Sequence, residues 1–224
     1  MSPLLRASLA VVAVGVSAVA VWWALPRDRA AGRTLLLTGF GPFGDVATNP
    51  AWLTAEALDG ERIGDLRVVA ARLDVTYADA PEQLRAAIRR HDPDVVLSLG
   101  VAPNPALRLE RRARNRDVSF QPDNAGVVHA DTVIREGGPE ELPTRLPVDR
   151  LRETLETAGC EVVISDDAGG YLCNHVFYRV LDEVDVSRIA GFVHVPPLEG
   201  VWDAARLEQA VRLIVKTLAG EAAR

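Results

Sequence analysis

The sequence predicts an α/β fold, a three-layer α/β/α sandwich around a mostly parallel twisted sheet, preceded by an N-terminal hydrophobic helix. Short apolar runs around 34–38, 94–99 and 189–195 stop at glycine or proline, and 161–165 reads as a further strand. Strands covered on both faces read as continuous apolar runs rather than as alternating ones. Amphipathic stretches separate these runs, and strands alternating with helices specify a parallel sheet with helices on its faces. The chain of 224 residues is 48% hydrophobic, enough for one large domain with a substantial core.

Residues 34–38 end at Gly39 in the pattern of a buried strand. Gly39-Phe40-Gly41-Pro42-Phe43-Gly44 follows and matches the G-x-G-x-x-G spacing of dinucleotide-binding turns. A nicotinamide-dependent oxidoreductase fails on three counts. Pro42 has no N–H for a phosphate, and two phenylalanines crowd the backbone. The next helix starts only near Pro50, with Thr48 or Asn49 as its cap. Asp59, where the ribose-binding acid would be sought, falls at a helix end and not after a second strand. A loop that presents Phe40 and Phe43 as flat apolar walls is the better reading.

Helix 50–58 ends at Gly60, and 66–73 reads as a strand. Residues 77–90 form an amphipathic helix with Leu84, Ala87 and Ile88 on one face. Strand 94–99 ends at Gly100, and 107–113 alternates like another strand. Asp123 to Gly126 is a turn, and Gly137-Gly138-Pro139 is a break. Helix 148–158, strand 161–165, helix 174–184, strand 189–195 and helix 203–219 complete the order.

The composition excludes several classes of function. Net charge is −6 with both signs scattered, so there is no basic stripe for nucleic acid. Only two cysteines occur, Cys160 and Cys173, so this is no disulfide scaffold, and no CxxC or histidine cluster along the chain suggests a metal or cofactor.

Cys173 carries the sharpest chemical signal. A glycine-rich run, Ala168-Gly169-Gly170-Tyr171-Leu172, leads into it and a helical pattern follows. A thiol at a helix N-terminus is favoured as thiolate, the nucleophilic form; a buried, inert cysteine is the bland alternative. Such a nucleophile needs a base. His91 sits at a solvated helix end, His129 lies in a patternless loop, and His175 would project away from Cys173 on the same helix. His194 ends a buried strand, where open α/β sheets place their ligands. For Glu110 the residues alone favour a surface ion pair with a neighbouring arginine. Cys160, at a helix-to-strand junction, reads as packing.

Several separated segments resemble pyroglutamyl peptidase I, a family of cysteine peptidases that remove N-terminal pyroglutamate. They are Leu36 to Gly44 with Asn49, Pro50 and Trp52; Leu109-Glu110-Arg111 with Asn115; Pro122-Asp123-Asn124-Ala125-Gly126; Leu146-Pro147; Ala168 to His175; and Phe192 to Pro196. The resemblance spans 33 to about 220 in the family's order. It implies Cys173 as nucleophile, His194 as general base and Glu110 as the acid that orients the histidine. Phe40 and Phe43 match aromatics that sandwich the pyroglutamyl ring, Asn49 a polar residue near them, and Tyr171 an aromatic close to the nucleophile. No metal or cofactor is implied, and the partner is a peptide with N-terminal pyroglutamate. Family relatives often form tetramers, so a homo-oligomer is also implied. Two positions depart: Val101 stands where a glutamine is usual, and Phe120 where an arginine is usual, with Arg114 or Arg116 as spatial substitutes. The alternative function is therefore a weak or inactive homologue that binds blocked peptides without cleaving them.

Residues 1–32 stand apart from the domain at 33–224. Ala7 to Leu25 contains no charge, Arg6 precedes it, and Trp22-Trp23 lie near one end. Nineteen such residues suffice for a membrane anchor. Ala18-Val19-Ala20 also fits a signal-peptide cleavage site, giving an exported domain. The anchor is favoured slightly because the apolar run continues past that site. The family's usual cytosolic location is the alternative.

Overall fold

The computed structural model describes residues 32–44 and 46–221. The hydrophobic segment predicted at the N-terminus lies outside these residues, and among the described residues no helix is long and apolar enough to cross a membrane.

In chain order the early elements are β1 (Arg33–Phe40), α1 (Pro50–Ala57), β2 (Arg62–Ile63), β3 (Leu66–Leu73), α2 (Asp79–His91) and β4 (Val95–Val101). Next come β5 (Leu107–Glu110), β6 (Arg112–Arg114), β7 (Arg116–Asp117), β8 (Thr132–Val133) and β9 (Glu141–Pro143). The chain closes with α3 (Val148–Thr157), β10 (Val162–Ser165), α4 (Leu172–Glu183), β11 (Ile189–Val195) and α5 (Ala204–Ala219). Seven strands form one sheet in the order β10-β5-β11-β4-β1-β3-β2.

The four central strands, β3, β1, β4 and β11, run parallel. β5 runs antiparallel to β11 and carries β10 parallel to itself, while β2 is an antiparallel edge. The mostly parallel sheet expected from the apolar runs is present, with its direction reversed at β5. The apolar pattern could not show this, because buried strands read alike in either direction.

Alternate residues of each strand feed two separate cores. Leu35, Leu37, Val95, Leu97, Leu99, Val193 and Val195 pack under α1, α3 and α5. Leu36, Phe40, Val96, Ala190 and Phe192 pack under α2 and α4. Both faces are thus covered, and the period of 2 along a strand decides which core a residue joins. By the same alternation His194 follows Ala190 and Phe192 onto the α4 side. Thr38 and Ser98 sit side by side in register between β1 and β4, and each satisfies the other through a 2.8 Å hydroxyl–hydroxyl hydrogen bond.

The single strand predicted over 107–113 is two. The chain leaves the main sheet at Arg111, and β6 pairs with β9 instead. Arg111 gives its N–H to Ser165 O, and its carbonyl accepts from Thr144. Two sheets share this one alternating run, so periodicity alone could not mark the break. Helix α4 starts two residues earlier than predicted, which places Cys173 within its first turn. Asn49 caps α1 by accepting from Ala51 N at 3.0 Å.

Gly39, in the motif that mimicked a dinucleotide turn, lets α1 approach β1. A Cβ there would lie 2.5 Å from Ala51 O. Its neighbours are helix backbone, which cannot rotate aside. Gly39→Ala should therefore lower the urea midpoint with an unchanged slope, by at least the ~1–3 kcal/mol typical of overpacking. An unaltered midpoint would show that α1 does not seat this closely.

Candidate active site

The parallel strands end together at one rim, where Phe40, Val101 and Val195 close β1, β4 and β11. From the end of β1 the chain moves outward to β3, whereas from the end of the neighbouring β4 it moves the other way, to β5. That arrangement opens a crevice at the carboxyl ends of the strands. A cleft of about 590 Å³ lies there, lined by Phe40, Phe43, Asn49, Val101, Arg108, Tyr171, Cys173 and His194, among others.

Three side chains meet at its base. Glu110 is the last residue of β5, fully buried, and its Oε1 lies 2.7 Å from His194 Nδ1. His194 is buried and lines the cleft beside Cys173, close enough for the sulfur to act on its proton affinity. Cys173 stands opposite Gly100, where a Cβ would lie 2.8 Å from its Sγ and 2.8 Å from Phe192 Cζ. Gly100 pairs in register with His194. The missing side chain at 100 is thus what lets the sulfur settle onto the sheet beside the imidazole.

Burial pushes the His194 imidazolium down, because charge is poorly solvated there. The neighbouring Cys173 sulfur and the Glu110 carboxylate outweigh that, and the pKa rises to about 9. Against an ordinary value of 6.5, the folded state holds this proton more tightly. The associated stability is complete below about pH 6.5 and is lost as pH climbs through about 9.

Glu110 satisfies both sequence-level readings. Its Oε1 also accepts from Arg108 Nε at 3.2 Å, so the ion pair with a neighbouring arginine exists alongside the histidine contact. It is buried rather than superficial. Arg108 is braced by Ser165 Oγ at 2.7 Å and Asp167 O at 2.6 Å, and it lines the cleft. The sequence reading left open which neighbouring arginine pairs with Glu110. The signal available was the i, i+2 spacing, which places both side chains on one face of β5.

The walls are tied together by the 122–126 motif. Asn124 Nδ2 donates to Pro42 O at 2.9 Å, which links this turn to the phenylalanine loop. Tyr171 donates its hydroxyl to Pro122 O at 3.1 Å. Burial, then the Asp123 and Cys173 charges, push the Tyr171 hydroxyl up to about 12, so it remains a donor. Asn49 is buried and spans from the α1 cap to Gly41 O at 3.0 Å, which holds the turn between Phe40 and Phe43. Asn174, next to Cys173, accepts from Arg114 N and donates to Arg114 O and Arg116 O, fastening α4 to the strands beside it.

One expectation fails on the geometry. Arg114 pairs with Glu141 and Asp167, and Arg116 with Asp131, and neither lines the cleft. They do not replace the arginine absent at 120. Phe120 itself is 84% exposed and also lies outside the cleft lining. His175, set aside as a base, bonds to Asp117 instead, at 2.8 Å. Cys160 packs against the α1/α3/α5 core, as read from its position.

A model described as pyroglutamyl peptidase matches residues 33–210. A pyrrolidone-carboxylate peptidase from Clavibacter michiganensis subsp. michiganensis is 38% identical over 166 residues, 73% of this chain and 78% of its own. One from Cupriavidus pinatubonensis is 37% identical over 171 residues, 74% of this chain and 79% of its own. Among solved structures, Bacillus amyloliquefaciens pyroglutamyl peptidase I superposes with a TM-score of 0.80 at 30% identity, covering 84% of this chain and 98% of that one. Pyrrolidone carboxyl peptidase from Thermococcus litoralis gives 0.78 at 32% identity, covering 82% and 92%. The family model leaves out the first 32 residues and takes in the whole rim described above, and the chain belongs to the pyroglutamyl peptidase family of cysteine peptidases.

Proposed function

We propose that Cys173, His194 and Glu110 are the catalytic triad with which this peptidase removes N-terminal pyroglutamate from peptides. The observation that carries this reading is a buried carboxylate 2.7 Å from an imidazole that shares its cleft with Cys173, the only cleft-lining thiol among the described residues. Glu110 engages Nδ1, which leaves Nε2 for the sulfur. The sulfur attacks the pyroglutamyl carbonyl carbon, and the oxygen takes up negative charge. N–H groups at the start of α4 are the donors for that oxyanion. His194 passes its proton to the leaving amine, and a thioester remains on Cys173. Water, deprotonated by His194, then attacks the thioester and releases free pyroglutamate.

Phe40 and Phe43 flank the lactam ring as apolar walls, with Asn49 and Tyr171 beside them. A substrate with no charged amino terminus suits a mainly apolar slot with few polar contacts. Arg108 supplies the cleft's positive charge and, through Oε1, steadies Glu110; it is a positioning residue.

A weak or inactive binder of blocked peptides is the second reading, favoured by Val101 in the cleft wall and by the outward-facing Phe120. A chromogenic pyroglutamyl amide separates the two. Wild type should turn over and Cys173→Ala should not, losing at least ~10³-fold. Tight binding without turnover by wild type would select the second reading.

The pH profile has a predicted sign. With His194 titrating near 9, kcat/KM should fall on an alkaline limb near that value. Glu110→Gln removes a charge that raises this pKa, so the limb should move to lower pH. A limb that stays in place would detach Glu110 from the histidine.

The segment at 1–32 serves as a membrane anchor or export signal, on the strength of its uncharged run alone. Fractionation of cells expressing the full chain, with N-terminal sequencing of the product, checks this. An anchor gives an intact chain in the membrane fraction, and a chain beginning at Val21 denotes cleavage and export. An intact chain in the soluble fraction would return the protein to the family's cytosolic location.

A further inference from the structure

Beneath the cleft wall, three side chains distant in sequence meet around one oxygen. Asp117 Oδ2 lies 2.8 Å from His175 Nδ1 and 3.0 Å from His129 Nδ1. All three potential ligand atoms fall within 4.8 Å of one another. Tyr77 lies flat on His129, with ring centroids 3.7 Å apart at 17°, and meets His175 edge-on at 5.6 Å. Both imidazoles are therefore held in place. Asp117 is fully buried, and its Oδ1 has no partner.

Glu110 makes the useful contrast. It too is fully buried with one unpartnered oxygen, but Arg108 gives it a fixed positive charge. Among the described residues Asp117 has no arginine or lysine partner; its only ion-pair candidates are the two histidines. A carboxylate removed from water needs a cation or full hydrogen bonding to offset its lost solvation.

We propose that Asp117, His129 and His175 form a binding site for a divalent transition cation of the zinc class. Two imidazoles and a carboxylate are a donor set that zinc favours. A tetrahedral ion about 2.0–2.1 Å from each donor keeps the donors roughly 3.3 Å apart. The present 2.8 and 3.0 Å contacts need to open by only a few tenths of an ångström. Each histidine presents the Nδ1 lone pair once its proton sits on Nε2. Partial exposure of His129 gives the ion a way in and leaves a place for water as the fourth ligand. Bound there, the ion fastens the loop between β7 and β8 to α4, two residues past Cys173. The site is structural and takes no part in the acyl transfer.

The test uses the full chain carrying Cys173→Ser, so that the thiol and His194 cannot themselves capture the ion. Calorimetric titration with Zn²⁺ should show one equivalent bound and a raised melting temperature. Co²⁺ should give tetrahedral d–d absorption without a sulfur charge-transfer band. Adding His129→Phe keeps a ring against Tyr77 but removes a ligand. Loss of outer-sphere partners alone costs about 10–100-fold in affinity, so the fall should be at least ~100-fold. Circular dichroism checks that this variant folds, and His129→Gln takes its place if it does not. Equal affinity with and without His129 would overturn the proposal. So would the absence of saturable Zn²⁺ binding by the folded Cys173→Ser protein, which would leave Asp117 as a hydrogen-bonded hub for two histidines.

Discussion

The site depends on a carboxylate taken out of water. Glu110 has no exposed surface, so its charge must be met inside the protein, and His194 and Arg108 meet it through one oxygen. Other features of the rim follow from that need. β5 runs against β11, which brings the face carrying Arg108 and Glu110 alongside the end of β11. The chain turns out of the sheet at Arg111, so Glu110 is the last residue held by it. Cys173 reaches the imidazole from α4 because Gly100 leaves the space. Breaking one partner of such a buried pair costs far more than the pair contributes to stability, which ties the geometry to the integrity of the fold.

Much of this was legible in the residues. The strands at 66–73 and 189–195 fall where the sequence places them, the second because it is buried along its whole length. Cys173, His194, Glu110, Phe40, Phe43, Asn49 and Tyr171 all come to one cleft or its base. For Glu110 and the substrate-wall residues, the family resemblance carried the inference. Local chemistry argued for a surface ion pair at Glu110, and that pair is real but buried. The reversal of β5, the break at Arg111 and the meeting of Asp117 with His129 and His175 were not legible. Each is set by tertiary pairing between segments whose local pattern is neutral, and spacing along the chain carries no trace of it.

Glu110 and Asp117 lie seven positions apart on the same run of chain, and each accepts from a histidine Nδ1. Their surroundings differ in the compensating charge. Arg108 sets a positive charge against Glu110, and Glu110 together with the Cys173 sulfur raises the proton affinity of His194. Around Asp117 the partners are imidazoles stacked on or edged by Tyr77. Of the two α4 residues two positions apart, His175 bonds to Asp117, while Cys173 lies beside His194. The first turn of this helix therefore serves the cleft with one side chain and its own anchoring with another, aided by Asn174 between them.

The central claim is that His194 carries its proton at neutral pH, held by the sulfur and the carboxylate. Nitrogen-15 NMR of the wild-type protein labelled at histidine reads this directly. The account predicts that both His194 ring nitrogens are protonated at pH 7 and that the ring titrates near pH 9. A His194 that is neutral at pH 7 and titrates at or below 6.5 would contradict it.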